Sequence, residues 1–378
     1  MSSTNVTEAL ILDSVARLGD LARKHARQND LDQRYSDELW DAVKESGLAL
    51  MCIPESQGGA GVSLELFCKA TEVLASADCS TATLVHLQGN NAYFLRYCED
   101  TQAAEAVMRE GVEKQWLTAY SLTEPGAGSD AQGITATATP EGDGYRLNGI
   151  KCFSSWASQA DAVFVMARIV GLPPREAISC FLVRPPQPGF TISRKEIKLG
   201  LRAAPLCEIV LDNLWVPKAD CLGERGLFKA TMKGLDYSRI GIAAMSVGLA
   251  QGALDYALGY VLDRKVFGRA VADFQGAQFK LADMATTVEA ARQLTMHAAR
   301  MADSGQPFTK LASMAKFYAS DVAMQVTTDA VQLLGGHGYT AEHPVERMMR
   351  DAKGIQIFEG ANELQRDLVF RYMRREVG

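Results

Sequence analysis

The 378-residue chain lacks the marks of several functional classes. Its eight cysteines, at 52, 68, 79, 98, 152, 180, 207 and 221, form no C-x-x-C pair, which argues against a zinc knuckle or redox dithiol and for reduced core thiols. No run of about 18 apolar residues occurs, so no ordinary membrane span is expected. Basic residues are outnumbered, 39 Lys and Arg against 45 Asp and Glu, for a formal net charge of -6, and nucleic acid is not an expected partner. The opening residues, Met1 to Glu8, have no basic start, no apolar stretch of about 7–15 residues and no transit-peptide composition, so a cytoplasmic address is expected. What is present, 47% hydrophobic and 22% charged residues, is ordinary globular composition, and the length exceeds what one core sustains, so two or three packed domains are expected.

Texture divides the chain in three. Residues 1–115 read as helical, with polar-apolar stretches from Glu8 to Gln28 and Leu64 to Ala77, broken at Pro54 to Gly59. Residues 116–223 turn to short β-rich segments bounded by Gly and Pro: Tyr145–Phe153, Ala162–Ile169, Ile178–Val183 and Cys207–Leu214. Across 224–378 the helical period returns, with Ala277, Leu281, Met284, Val288, Ala291, Leu294, Ala298 and Met301 at spacings of three and four. Segments 227–262 and 308–334 share that character, giving a helix bundle whose members run to about 40 Å at about 1.5 Å per residue. The fold class expected is α+β: a helical domain, a small β-barrel-like domain, then a four-helix bundle.

Four segments concentrate chemistry. Thr118 to Ala131 gathers hydroxyls and glycines, with Gly126 and Gly128 allowing close approach of backbone N–H groups to a ligand; a plain Pro-Gly turn is an equal reading. Gly126 to Ala131 fits the dinucleotide fingerprint, but the alternating Ile134–Thr139 that follows reads as a strand rather than the helix that fingerprint opens. Arg264 in Asp263 to Arg269 can pair with phosphate, or simply end a helix. Gln332 to Tyr339 carries three glycines where a helix end requires one. His337 within it has no second ligand at metal spacing, so no metal site is expected. Finally, Glu359 follows the apolar Ile355 to Phe358 and precedes Gly360, surroundings that raise a carboxylate toward general-base range; by itself such a pair is more often a solvated helix start.

In this order, Leu122-Thr-Glu-Pro-Gly-Ala-Gly-Ser-Asp130, Arg264-x-x-Phe-Gly268 with Gln275, Gln332-x-x-Gly-Gly336, Arg350-Asp-Ala-Lys353, Phe358-Glu-Gly360 and Gln365-Arg366 resemble the acyl-CoA dehydrogenase family from about residue 10 onward. The resemblance implies a homotetramer that binds FAD, with Tyr120, Leu122, Thr123, Ser129, Phe153 and Ser155 lining the flavin. Arg264, Phe267, Gln275, Gln332, Gly335 and Gly336 of a neighbouring subunit would hold its adenosine diphosphate half. It implies further that Glu359 takes the α-proton of an acyl-CoA while the β-hydrogen passes to flavin N5. The thioester carbonyl would be polarised by the backbone N–H of Glu359 and a ribityl hydroxyl. Ser129 and Arg239 would reach the pantetheine or phosphate end of the carrier, and Gly360 would border the substrate. An electron-transferring flavoprotein would be the acceptor. Some members carry the base just before the arginine of the Asp236–Arg239 segment, where this chain has Ser238.

Two departures stand out. Phe153-Ser-Ser-Trp156 replaces the common Trp-Ile-Thr-Asn of the strand behind the flavin, and Ala361 replaces a threonine after Glu-Gly. They imply a subfamily away from the mainstream fatty-acid enzymes, and the chain's end soon after this segment favours a short- or branched-chain type. The same reaction on a carrier-protein thioester, a flavin oxidase or monooxygenase on this fold, and a flavin-binding protein without turnover are the alternatives.

Overall fold

A computed structural model describes residues 3–98 and 101–377. Helices α1 (Ser3–Asp32), α2 (Asp37–Glu45), α3 (Leu64–Ala77), α4 (Cys79–Arg96) and α5 (Thr101–Glu113) come first. Strands β1 (Thr118–Ser121), β2 (Thr137–Glu141), β3 (Gly144–Ser155), β4 (Ala162–Ile169), β5 (Ile178–Val183), β6 (Phe190–Lys195) and β7 (Leu206–Pro217) follow. The remainder is helical: α6 (Phe228–Asp263), α7 (Gln275–Asp303), α8 (Thr309–Leu334), α9 (Val345–Ile355) and α10 (Asn362–Val377), with a small hairpin of β8 (Lys265–Val266) and β9 (Arg269–Ala270) after α6.

The seven strands form one sheet in the order β1-β4-β2-β3-β7-β6, with β5 on β4; β1 and β2 run parallel to β4 and the other pairs are antiparallel. Alternation sets β7 as its sequence implies: Cys207, Ile209 and Leu211 are buried while Asp212 is exposed. The strand expected from Ile134 starts at Thr137, after a short turn at Ala131–Gly133, so the Gly126–Gly128 loop does not open a helix. The helix expected around 277–301 is α7, with Ala277, Met284, Val288, Ala291 and Ala298 buried on one face. Helix α6 exceeds the expected 40 Å: its 36 residues span about 54 Å.

Two cores result. One fills the sheet interior around Leu147, Val163, Val165, Phe181 and Ile209. The other is continuous from Leu39, Phe67 and Leu84 of the first helices to Ile240, Met245, Ala298 and Ala323 of the last, so the two helical parts share one interior. Trp156, fully buried, joins it from the end of β3 by packing edge-on against Tyr35 with ring centroids 4.9 Å apart. It therefore faces the first helices rather than the surface that its neighbour Phe153 occupies. All eight cysteines are buried and none forms a disulfide. Among the described residues no helix is long and apolar enough to cross a membrane.

The Arg350-Asp351 pair of the sequence motif is architectural. Arg350 donates to Asp30 of α1 at 2.7 and 3.0 Å, a bidentate pair that joins the two ends of the chain. Asp351 is buried and accepts from the backbone N–H of Leu201. A side chain at Gly200 would come within 2.3 Å of the Arg350 carbonyl, so glycine permits this approach. Burial pushes the Asp351 carboxyl up to about 7, against the opposing pull of Leu201 N–H and Arg347. The folded chain then keeps a proton that the unfolded chain loses near 3.8, so this group's contribution to stability falls as pH rises from about 4 to about 7. Asp351→Asn, which keeps the acceptor for Leu201, should lose that component: melting temperatures of the two proteins measured from pH 4 to 8 should diverge in favour of the variant toward alkaline pH. Parallel curves would contradict the assignment.

Candidate functional site

The turn between α9 and α10 presents Glu359. Its backbone is left-handed, φ 55°, and Gly360 follows at φ 90°. The first costs a non-glycine residue about 1–2 kcal/mol, so the surroundings must enforce it. They do so from α8. Lys316 Nζ donates to the Gly360 carbonyl and to Asn362 Oδ1, each at 2.9 Å, and Asn362 Nδ2 donates to Ser320 Oγ at 2.9 Å and Asp321 Oδ1 at 2.8 Å. Gln365 Nε2 reaches the same carbonyl at 3.1 Å and sits where a side chain at 360 would project, 2.3 Å from the position of a Cβ. Gly360 is thus required twice, for its conformation and for its lack of a side chain.

The electrostatics suit a proton acceptor. Oε2 of Glu359 is buried and meets no hydrogen-bond partner. Burial raises the carboxyl above its ordinary range, while the adjacent Ser238 hydroxyl and the charges of Arg239 and Lys316 act in the opposite direction. Burial also pushes the Lys316 ammonium down to about 8, with Glu359 the principal group holding it up. Arg239 is turned inward: its side chain is 12% exposed and NH1 donates to Asp236 Oδ1 at 2.6 Å, while Asp236 Oδ2 accepts from Thr309 at 2.6 Å. Arg239 therefore stands beside the carboxylate, and not at an exposed position reaching for a distant phosphate.

A second group forms where β1 and its following loop meet β3. Ser121 and Ser154 hydroxyls are 2.7 Å apart, and Cys152 N–H donates to the Thr123 carbonyl at 2.9 Å. Lys151 and Glu124, both buried, pair at 2.7 Å; Lys151 also donates to the Leu122 carbonyl, and Glu124 accepts from Thr135 and Ala136. A buried pair in which both carboxylate oxygens accept and the ammonium donates twice holds the loop in place. Tyr120, Leu122, Thr123, Phe153 and Ser155 all lie on these joined segments, and Ser129, further along the loop, is exposed. Phe153 is 59% exposed at φ 54°. Tyr120 joins this group to Glu359, whose charge acts on its hydroxyl.

Arg264, Phe267, Gln275, Gln332, Gly335 and Gly336 form a separate exposed group at the other end of α6. Phe267 and Gly268, both at positive φ, make the two-residue turn of the β8-β9 hairpin and leave the Phe267 ring 97% exposed. His337 is structural here: Nδ1 lies 2.8 Å from the Tyr260 hydroxyl, tying the glycine turn to α6. Arg239 and Arg264 are separated along α6 by about 38 Å at about 1.5 Å per residue, so a single chain does not unite the two groups.

Sequence reading missed Lys316 and His86. Lys316 was legible as a lone cation among Ala312, Ala315, Ala319 and Ala323 on the buried face of α8. His86 had no such signal, because α4 is buried on nearly every side.

Residues 7–109, 119–214 and 225–373 match the N-terminal, middle and C-terminal domains of acyl-CoA dehydrogenase. The chain is 40% identical to cyclohexane-1-carbonyl-CoA dehydrogenase of Geobacter metallireducens, over 98% of this chain and 97% of that one. Butyryl-CoA dehydrogenase from Megasphaera elsdenii superposes with a TM-score of 0.93 at 36% identity, covering 99% and 98%. Glutaryl-CoA dehydrogenase from Mycobacterium smegmatis in complex with FADH2 superposes at 0.90 with 25% identity, covering 99% and 95%.

Lys316→Met should loosen the Glu359 turn. Loss of two buried, charge-assisted bonds is expected to cost about 2–4 kcal/mol, read as a lower denaturation midpoint, and to increase hydrogen exchange of the 356–362 amides. Unchanged exchange there would show that the turn holds without the lysine.

Proposed function

This chain belongs to the acyl-CoA dehydrogenase family of oxidoreductases, and we propose that it desaturates an acyl-CoA at the α,β position with Glu359 as base. The single observation that carries the assignment of the base is Oε2 of Glu359, buried, without a hydrogen-bond partner, and on a carboxyl raised by burial. Such a group, its basicity increased by burial, is suited to accept a proton.

The residues fit FAD. The exposed Phe153 and Phe267 rings suit a flat heterocycle; Arg264 and the open backbone at Gly335 and Gly336, where an added Cβ would meet nothing within 4 Å, suit a pyrophosphate. Tyr120, Leu122, Thr123, Ser129, Phe153 and Ser155 would line the ring system in one subunit, and Arg264, Phe267, Gln275, Gln332, Gly335 and Gly336 would hold the diphosphate from another, which favours a homo-oligomer, the tetramer of the resemblance. Bound FAD supplies the acceptor for the β-hydrogen. Everything else falls to the chain: Glu359 takes the α-proton, its backbone N–H faces the thioester carbonyl, Gly360 leaves room beside it, and Ser129 meets the pantetheine. Arg239 and Lys316 keep the carboxylate charged until the proton arrives. An electron-transferring flavoprotein is the acceptor this reading favours, and coenzyme A the thioester carrier. Arg239, turned inward beside Glu359, would serve the reacting end of the thioester and not the carrier's phosphate.

Three outcomes test this. Anaerobic bleaching of the flavin absorption by a panel of short, cyclic and branched acyl-CoAs should occur with at least one of them; bleaching only by carrier-bound thioesters, or oxygen uptake without added acceptor, would redirect the reading. Glu359→Gln should retain FAD and fold yet lose turnover by roughly 10²–10⁴-fold, and near-normal turnover would sink the assignment. Arg264→Ala should lower flavin occupancy after gel filtration; full occupancy would count against the cofactor mapping.

A further inference from the structure

His86 of α4 lies inside the protein, 3% exposed, and its Nε2 is 3.1 Å from the Ser238 hydroxyl of α6. Its other nitrogen, Nδ1, is buried without a partner, facing the backbone of α6 at Gly241, where an added Cβ would meet Nδ1 and Cε1 at 2.6 Å. A neutral imidazole carries one N–H and one bare nitrogen. With no acceptor for a proton on Nδ1, the tautomer that satisfies its donor places hydrogen on Nε2, which then donates to Ser238 Oγ. Ser238 has a single proton, and with its oxygen engaged that proton is free for the carboxyl of Glu359 beside it. Glycine at 241 is what admits the ring: any side chain there would displace it.

We propose that His86 is a positioning residue for the desaturation, holding the Ser238 hydroxyl so that it donates to the Glu359 carboxylate and keeps that base ionised before the α-proton is taken. This rests on Glu359 being the base. His86 does not carry charge in the working range, since burial lowers it to about 4; it acts as a fixed dipole. The other groups facing Glu359 are Arg239 of α6, Lys316 of α8 and the Tyr120 hydroxyl of β1. Arg239 and Lys316 favour the ionised carboxylate by charge, from helices other than α4, so their contribution persists when His86 is replaced.

The sign follows from the donor. Without His86 the serine hydroxyl can turn to the carbonyl four residues back, as serine in helices does, and the carboxylate loses a hydrogen bond. Its protonation then moves to higher pH, and activity on the acid side falls.

The experiment is the pH profile of kcat/KM for the holoenzyme with an acyl-CoA that bleaches the flavin. His86→Leu should shift the acid limb upward by about one to two pH units, the equivalent of one hydrogen bond to a charged acceptor. His86→Gln, whose amide restores a donor, should return it toward wild type. Ser238→Ala should shift it at least as far, and His86→Leu added to Ser238→Ala should shift it no further. An unmoved limb in His86→Leu beside a moved limb in Ser238→Ala would reduce His86 to packing. An unmoved limb in both would overturn the chain of hydrogen bonds. If His86→Leu does not fold, His86→Phe, a flat ring without a donor, takes its place: a limb that follows Ser238→Ala upward supports the relay and an unmoved one opposes it. Normal turnover in Glu359→Gln would instead remove the reading beneath the proposal and leave a distinct signature.

Discussion

A buried ammonium governs the site. Lys316 brings a charge into the interior of a helix bundle, and the cost of desolvating it is met by a carbonyl and an amide that both belong to the α9-α10 turn. The turn cannot relax without orphaning the charge, and the charge cannot stay without the turn. That mutual dependence lets a glutamate occupy left-handed backbone and keeps its carboxyl at a fixed place between β1, α6 and α8. The Lys151–Glu124 pair does the same for the neighbouring loop through its bonds to Leu122, Thr135 and Ala136. Both halves of the site are therefore held by ionic groups that never reach the surface.

The division of labour among motif residues follows. Arg350 and Asp351 belong to the same recognisable run as Glu359 yet join α9 to α1 and to the loop at Leu201. His337, the most chemical-looking residue of the glycine turn, braces α6. A motif that identifies a family mixes residues that react with residues that hold the reacting ones still, and only partners and burial separate them.

How much could be read beforehand depended on whether an element is half-buried. The sides of α7, the alternation of β7 and the bounds of β4 and β5 were legible because one face meets water or because turns punctuate the ends. Helix α4, buried on nearly every side, carries little periodic signal, and with it His86 escaped notice, whereas the segment 227–262 read as helical lies within one residue of α6 at each end. Glu359 was legible from its apolar approach and following glycine; the lysine behind it was legible only as an oddity on an alanine face. Trp156 shows the opposite error: read as part of a cofactor-facing strand, it is a core residue, because left-handed backbone at Phe153 and Trp156 breaks the simple alternation of faces.

The length of α6 has a genetic consequence. The carboxylate neighbourhood and the exposed arginine lie about 38 Å apart along one helix, and in the proposed assembly a cofactor that touches both would draw them from different copies of the chain. A lesion at one end then damages the centre of a neighbour and spares its own. In a cell expressing two alleles, one defective at Glu359 and one at Arg264, mixed assemblies would regain some intact centres that neither allele makes alone, whereas two alleles defective at the same end would not.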